Sequence, residues 1–475
     1  MQQVNTIKND TIIALATSSG VGAIAVIRLS GERAIEIVNS FFQSKSGKKD
    51  LTKVKSHTIH LGNIVDGNRI IDEVLVSVFN GPHSYTGENV VEISCHGSVY
   101  IQQEILQLFL KNGVRHADAG EFTLRAFING KMDLSQAEAI ADLIASDSKA
   151  SHQIAMQQMR GGFSSEIANL REQLLSFASL IELELDFAEE DVEFADRDQF
   201  KVLIKKITKV LKRLIDSFAV GNVLKNGIPV AIIGEPNVGK STLLNALLNE
   251  EKAIVSHIAG TTRDAIEDEI IINGVTYRFI DTAGIRETAD EIESIGIQKT
   301  FEKISQAQLI ILLFDISKVL MSNNGIINMV NEIKKIKRQF PDKKLLIIAN
   351  KIDSINKEDI YTIIKDLSQN NIADVIPLSA KNKIGINSLI QNLTELANTG
   401  ILSNNQTIVS NSRHFEALNN ALNAILEVQK GTENNISSDL IAIDIREALY
   451  HLGLITGAIS TEDLLGNIFA NFCIG

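Results

Sequence analysis

Residues 234–241 read Gly-Glu-Pro-Asn-Val-Gly-Lys-Ser, a G-x-x-x-x-G-K-S spacing whose chemistry is the gripping of phosphate. The glycines let backbone N–H groups turn toward phosphate oxygens, and a helix opening at Lys240 adds its positive end. Lys240 is placed for the β- and γ-phosphates and the Ser241 hydroxyl for Mg²⁺. A second group, Asn350-Lys351-Ile352-Asp353, closes an apolar run. A carboxylate there accepts two hydrogen bonds from the ring N–H and amino group of guanine. Adenine lacks that donor pair, so the site should discriminate strongly.

These groups need strands to carry them. The apolar run 228–233 delivers the chain to a sheet edge just before the loop, and a helical pattern follows it. "VIPLSAK", ending at Lys381, is again strand then loop. "YRFIDTAG" puts Asp281 at a strand end and Gly284 where its N–H can reach the γ-phosphate. "AGTTRD" supplies Thr262, a second hydroxyl for Mg²⁺. The five elements occur in the order shown by GTPases of the Ras-like superfamily, which they resemble. The expected GTP contacts are therefore Asn237, Val238, Gly239, Lys240, Ser241 and Thr242 in the first loop, and Ser256, His257, Ile258, Ala259, Gly260, Thr261 and Thr262 in the second. Asp281, Thr282, Ala283 and Gly284 follow, then Asn350, Lys351 and Asp353, and last Ser379, Ala380 and Lys381. Many Ras-like proteins place a water-orienting glutamine directly after D-x-x-G. Here that residue is Ile285, whose side chain cannot hydrogen-bond. Either hydrolysis is slow or another group holds the water, and spacing leaves Arg286, Glu287, Glu291 and Glu293 as candidates for that group.

A chain of 475 residues predicts two to four domains, and 44% hydrophobic content supports large cores. The net charge of −12 argues against a chain-wide nucleic-acid surface, though not against a local basic patch. The two cysteines, Cys95 and Cys473, lie far apart in sequence and make neither a disulfide framework nor a zinc pattern, and a reducing cytosol fits best. No run approaches the ~18 apolar residues of a membrane span, and no signal peptide is visible. The expectation is a cytoplasmic protein with no membrane partner.

Before residue 125 the pattern is α+β. "GAIAVIRLSG", "DEVLVSVFN" and "NVVEISCHGS" read as strands and "VYIQQEILQLFLKNG" as a helix. Residues 20–25 match G-x-G-x-x-A, but a strand follows where a dinucleotide-binding loop needs a helix, so that reading is rejected. Helical periodicity begins near Ser135, which has capping-box spacing to Glu138. It returns in "SRHFEALNNALNAILEV" and "DLIAIDIREALYHLGLITG" after the nucleotide motifs. The acidic run 182–193 lacks an interleaved histidine and reads as a solvated helix end and loop, not a metal site. The layout predicts a helical domain in two segments with a GTPase domain inserted between them. The expected divisions are an N-terminal domain at 1–125, helical segments at 126–222 and 401–475, and the GTPase domain at 223–400. The fold class is thus multidomain: α+β, α-helical bundle, and inserted Ras-like α/β.

"GPHSYTGENVVEISCHG", "GEFTLRAFINGKMDLSQAEAIADLI", "DTAGIRETADEIESIGI" and the tail "DLLGNIFANFCIG" together resemble one family, the tRNA modification GTPases MnmE (TrmE). The likeness covers essentially the whole chain. It implies a tetrahydrofolate one-carbon carrier held by Arg28, Glu92 and Lys131, and a K⁺ ion held by Asn237, Ser256, Ile258 and Thr261. It also implies Mg²⁺ on Ser241 and Thr262, and Glu293 as the catalytic, water-orienting carboxylate. A homodimer through the N-terminal domains is implied as well, with tRNA as substrate. The implied flavoprotein partner is MnmG (GidA), which would carry the FAD. The implied reaction forms aminomethyl or carboxymethylaminomethyl groups on the wobble uridine. The competing reading is a regulatory GTPase switch in ribosome assembly, which would call for basic RNA-binding appendages. The family's tail runs F-C-I-G-K and this sequence stops at Gly475, so a folate contact from a terminal lysine has no counterpart in it. One further residue would give Cys473 a C-a-a-X-like setting, but nothing else in the sequence points to a lipid anchor.

Overall fold

The computed structural model describes residues 10–45, 47, 49–186, 197–248, 253–255, 268–280, 305–370, 372, 375–397, 407–434, 436–470 and 472. The chain divides into two compact units. One comprises Met1–Ile144, Gln158–Thr208 and Asn420–Gly475, the other Ala145–Gln157 and Lys209–Asn419.

The first unit contains a seven-stranded sheet in the order β3-β4-β5-β6-β2-β1-β7. Its strands are β1 (Ile12–Leu15), β2 (Ile24–Ser30), β3 (Phe42–Ser44), β4 (Thr58–Asp66), β5 (Arg69–Phe79), β6 (Val90–His96) and β7 (Arg115–His116). All neighbours are antiparallel except β1 and β7. The alternation in the sequence explains the burial. Val74, Val76 and Val78 of β5 join Val91, Ile93 and Cys95 of β6 and Ala25, Ile27 and Leu29 of β2 on one face. Helices Ala34–Phe41 and Val99–Lys111 cover that face through Ala34, Val38, Ile105 and Phe109. The strand expected after the G-x-G-x-x-A string is β2. The opposite face carries Arg28 and Glu92, which sit directly across from each other in the β2–β6 register.

The helical part of this unit includes Gly162–Asp186, which packs along Ser438–Thr456. The second of these ends at Gly457, whose φ of 79° is left-handed and where a Cβ would lie 2.7 Å from the Phe127 ring. Glycine is therefore the residue that both stops this helix and lets it seat. Helix Leu134–Ala145 corrects one expectation. Its capping box is formed by Asp133 and Gln136, not by Ser135 and Glu138. The Asp133 carboxylate accepts from the Gln136 N–H at 2.9 Å, and the Gln136 side chain accepts from the Asp133 N–H at 3.0 Å. The Ser135 hydroxyl instead meets that of Ser164 at 2.8 Å, fully buried between helices. A tertiary partner outcompeted the local one. Among the described residues no His/Cys/Asp/Glu cluster suits a metal ion, and no described helix is long and apolar enough to cross a membrane.

The second unit holds another seven-stranded sheet, ordered β14-β13-β12-β8-β11-β10-β9. It comprises β8 (Ile228–Ile233), β9 (Ala253–Val255), β10 (Asp268–Ile272), β11 (Val275–Phe279), β12 (Leu309–Asp315), β13 (Lys344–Asn350) and β14 (Val375–Pro377). Strands β11, β8, β12, β13 and β14 run parallel, and β10 and β9 extend the edge antiparallel. Central β12 is buried at every position. Its residues alternate between two cores: Leu309, Ile311 and Leu313 on one face, Ile310, Leu312 and Phe314 on the other. That is the pattern of a parallel sheet covered on both sides. The loops that leave the carboxyl ends of β8, β12, β13 and β14 are therefore neighbours, the place where open α/β sheets bind ligands.

Candidate functional site

The loop after β8 adopts the backbone its sequence requires. Gly234, Asn237 and Gly239 have φ of 151°, 62° and 100°, and helix Lys240–Leu248 starts at the lysine. The Lys240 ammonium donates to the Gly234 carbonyl at 2.6 Å, so it bends back over the loop. Ser241 is half-buried at the first turn, while Asn237 and Thr242 are exposed. Val238 is buried, and its carbonyl accepts from the Asn350 carboxamide at 2.7 Å. The oxygen of the same carboxamide accepts from the Ala380 N–H at 3.0 Å. Asn350 therefore ties the phosphate loop to the Ser379–Lys381 loop. Gly239 has to be glycine beneath it, because a Cβ there would lie 2.4 Å from the Asn350 Nδ2.

Lys351 has a left-handed φ of 66°, and its ammonium pairs with Asp315 at 2.7 Å. Asp315 ends β12 and faces Asn350 in the parallel register. Burial would raise its pKa, but hydrogen bonds from Lys351 and Ser317 outweigh this and hold it below the ordinary value. Asp353 lies exposed in the turn Ile352–Ser354. Ser379 is fully buried and its hydroxyl accepts from the Asn382 N–H, while Lys381 is exposed. Sequence reasoning missed Asp315. Its only signal was a single carboxylate closing a wholly apolar strand.

Thus Asn237–Thr242, Asn350, Lys351, Asp353 and Ser379–Lys381 converge on one sheet end. Ser256, His257, Ile258, Ala259, Gly260, Thr261, Thr262, Asp281, Thr282, Ala283, Gly284 and Glu293 lie outside the described residues, as do Ile285 and Cys473. Asn237 offers an exposed carboxamide oxygen and Ser241 a hydroxyl, hard donors of the kind that K⁺ and Mg²⁺ take.

A second constellation lies on the open face of the first sheet. The Arg28 guanidinium donates to the Glu92 carboxylate from Nε at 2.9 Å and approaches it from Nη2 at 2.8 Å. It also lies 5.2 Å from the Tyr85 ring centroid and 5.6 Å from that of Phe122. Lys131 donates to the Pro82 carbonyl at 2.9 Å, in the same 80–89 loop as Tyr85. Of the three residues marked by resemblance, Arg28 and Glu92 are paired to each other, and Lys131 bonds the backbone of the loop that carries Tyr85. The aromatic wall of Tyr85 and Phe122 was not foreseen.

Beside it lies a buried ion network. Arg125 is 2% exposed and bonds Asp10, Glu88 and Glu121; Arg115 bonds Asp10 and Glu121. Burial pushes the Glu121 carboxyl upward, but hydrogen bonds from Arg115, the Asp118 N–H and Arg125 hold it below the ordinary value. A carboxyl depressed on folding stabilises the protein above its unfolded pKa, and that contribution is lost as the pH falls through the folded value. Glu121→Gln should therefore cost about 3 kcal/mol at pH 7, the scale of breaking a buried pair. The deficit should shrink below pH ~4. Urea unfolding at neutral pH and at pH ~3 measures both; an equal deficit at the two would remove the ionic account.

A glycine-rich loop between strand and helix, clasped by an N-K-x-D turn to a Ser-Ala-Lys loop, defines a P-loop GTPase of the Ras-like class. Two family models extend this to the rest of the chain. One described as "MnmE helical domain" matches residues 134–473, and one described as "GTP-binding protein TrmE N-terminus" matches residues 11–131. The chain belongs to the MnmE (TrmE) family of tRNA modification GTPases, and its enzyme class is GTP hydrolase. It is 66% identical to the tRNA modification GTPase MnmE of Flavobacterium johnsoniae, over 99% of this chain and 100% of that one. It is 65% identical to that of Christiangramia forsetii, over 98% and 99% of the two chains. Among solved structures, the G domain of FeoB from Methanococcus jannaschii is 28% identical over 36% of this chain and 97% of its own, with a TM-score of 0.24.

Proposed function

We propose that this protein is a K⁺-dependent GTPase that works with the flavoprotein MnmG to modify the wobble uridine of tRNA. In this reading a tetrahydrofolate derivative supplies the one-carbon unit, and the product is an aminomethyl or carboxymethylaminomethyl uridine. The single observation that carries the tRNA assignment is the full-length likeness to proteins bearing that name. The folate assignment draws support from the paired Arg28 and Glu92, the Tyr85 and Phe122 rings against Arg28, and Lys131 bonded to the Tyr85 loop. Guanidinium, carboxylate and ammonium groups there suit a ligand with a hydrogen-bonding ring and an anionic tail. Flavin would reside on the partner.

The family layout further suggests domains at 1–125, 126–222 plus 401–475, and 223–400, and a homodimer through the first of these. In support of the dimer, Leu61 and Leu75 face each other across β4 and β5 and are both about half exposed, with Ile59 beside them. Neighbouring exposed apolar side chains of this kind mark an interaction surface. A cytoplasmic location fits this activity.

Nucleoside analysis of tRNA from cells lacking the protein tests the reading. Wobble uridines should lose the modification. Unchanged wobble uridines would overturn the assignment.

A further inference from the structure

The 80–89 loop is held to β2 by a closed set of polar contacts that the GTPase site does not use. The Ser30 hydroxyl meets the Glu88 carboxylate at 2.7 Å and the Thr86 hydroxyl at 2.7 Å. Ser30 and Thr86 are both fully buried. The direction of each bond follows from the inventory of protons. Ser30 has one hydroxyl proton, and the carboxylate can only accept, so Ser30 donates to Glu88. Thr86 must then donate to Ser30, and the Thr86 oxygen in turn accepts from the Glu88 N–H at 3.2 Å. Arg125 holds the same carboxylate at 3.1 Å.

The segment so fixed carries Tyr85 next to Thr86. Ser30 lies two residues after Arg28, on the same face of β2. The Tyr85 hydroxyl is anchored at its far end by Thr123 at 2.9 Å, and Phe122, adjacent to Thr123, closes on Arg28. Gly87, on the other flank, lies against the Lys131 stem: a Cβ there would be 3.5 Å from it.

We propose that Ser30, Thr86 and Glu88 form a latch that fixes the loop with Tyr85 against Arg28, and that Tyr85 is a specificity-determining wall for a flat heterocyclic ligand. This rests on the one-carbon-carrier reading of the site. Ser30, Thr86 and Glu88 are positioning residues in it. The latch makes the wall preformed, so the ligand does not have to order the loop when it binds.

The test uses the full-length protein and 5-formyltetrahydrofolate as probe, titrated calorimetrically, with Arg28→Ala as the reference for a lost site. Ser30→Ala removes the hydrogen bond to the Glu88 carboxylate and the one from Thr86, and should weaken binding roughly tenfold. Tyr85→Leu, which keeps an apolar side chain but removes the ring, should weaken it at least as much. Hydrogen exchange separates positioning from general stability. In Ser30→Ala the amides of 81–89 should exchange faster while those of β2 and β6 keep their protection. Ser30→Ala binding within twofold of the wild type overturns the latch, and so does equal loss of protection across the strands. Full binding by Tyr85→Leu overturns the wall. If the wild type binds no folate, the one-carbon reading falls, and the exchange pattern alone then decides the latch.

Discussion

Asp353→Asn is expected to lower GTP affinity by roughly 10³-fold or more and to transfer preference to xanthosine nucleotides, because a site built around paired hydrogen bonds rejects a base that leaves them unmet by large factors. In the proposed reading the carboxylate accepts from two guanine donors, whereas asparagine would offer a donor where guanine offers another. Xanthine presents a carbonyl at that position, which suits the new donor. The structure makes this a clean test. Asp353 is exposed on its turn, while buried Asn350 and the Lys351–Asp315 pair hold that turn in place. The substitution therefore alters the reader and leaves its frame. Titration of the variant with fluorescent GTP and XTP analogues measures both affinities. Unaltered guanine preference would mean that this turn does not read the base.

The GTPase half was legible because its chemistry is short in sequence. Strand, loop and helix around Lys240 occupy about twenty consecutive residues, and each carries its own backbone requirement. What escaped notice depends on contacts between distant residues. Asp315 matters only because parallel pairing sets it beside Asn350, 35 positions on, and no local pattern announces that register. The capping box at 133–136 was misplaced by two residues because Ser135 had a better partner 29 positions away. The Arg28–Glu92 pair spans 64 positions. Both residues could be marked by resemblance, but their cross-strand pairing emerges only when β2 and β6 lie side by side, and the Tyr85 ring against Arg28 only when the 80–89 loop folds back. Arg125 is the extreme case. A single arginine in an amphipathic stretch reads as surface, and only the convergence of Asp10, Glu88 and Glu121 makes its burial tolerable.

Glu293→Ala is expected to slow GTP hydrolysis by ~10²–10⁴-fold while leaving GTP affinity nearly unchanged, the range for losing a group that positions or activates the attacking water. The reason lies in the residue after D-x-x-G. The side chain of Ile285 has no hydrogen-bonding atom, so fast hydrolysis requires another group to hold the water, and we propose Glu293 for that role. A group that acts only in the transition state lowers the rate without touching ground-state binding. Charge developing on the transferred phosphoryl group needs a separate partner, because a carboxylate cannot supply it. The expected partner is K⁺ at Asn237, whose exposed carboxamide crowns the phosphate loop. Hydrolysis by the wild type should accordingly be much faster in K⁺ than in Na⁺ at matched ionic strength, since the smaller ion fits a cage sized for potassium poorly. Glu293→Ala should remain slow in both salts, because restoring the cation does not restore the water. Single-turnover rates in the two salts, with nucleotide affinity measured alongside, separate the two contributions. A fall in affinity that tracks the fall in rate would make Glu293 a structural residue, and equal wild-type rates in K⁺ and Na⁺ would remove the potassium role.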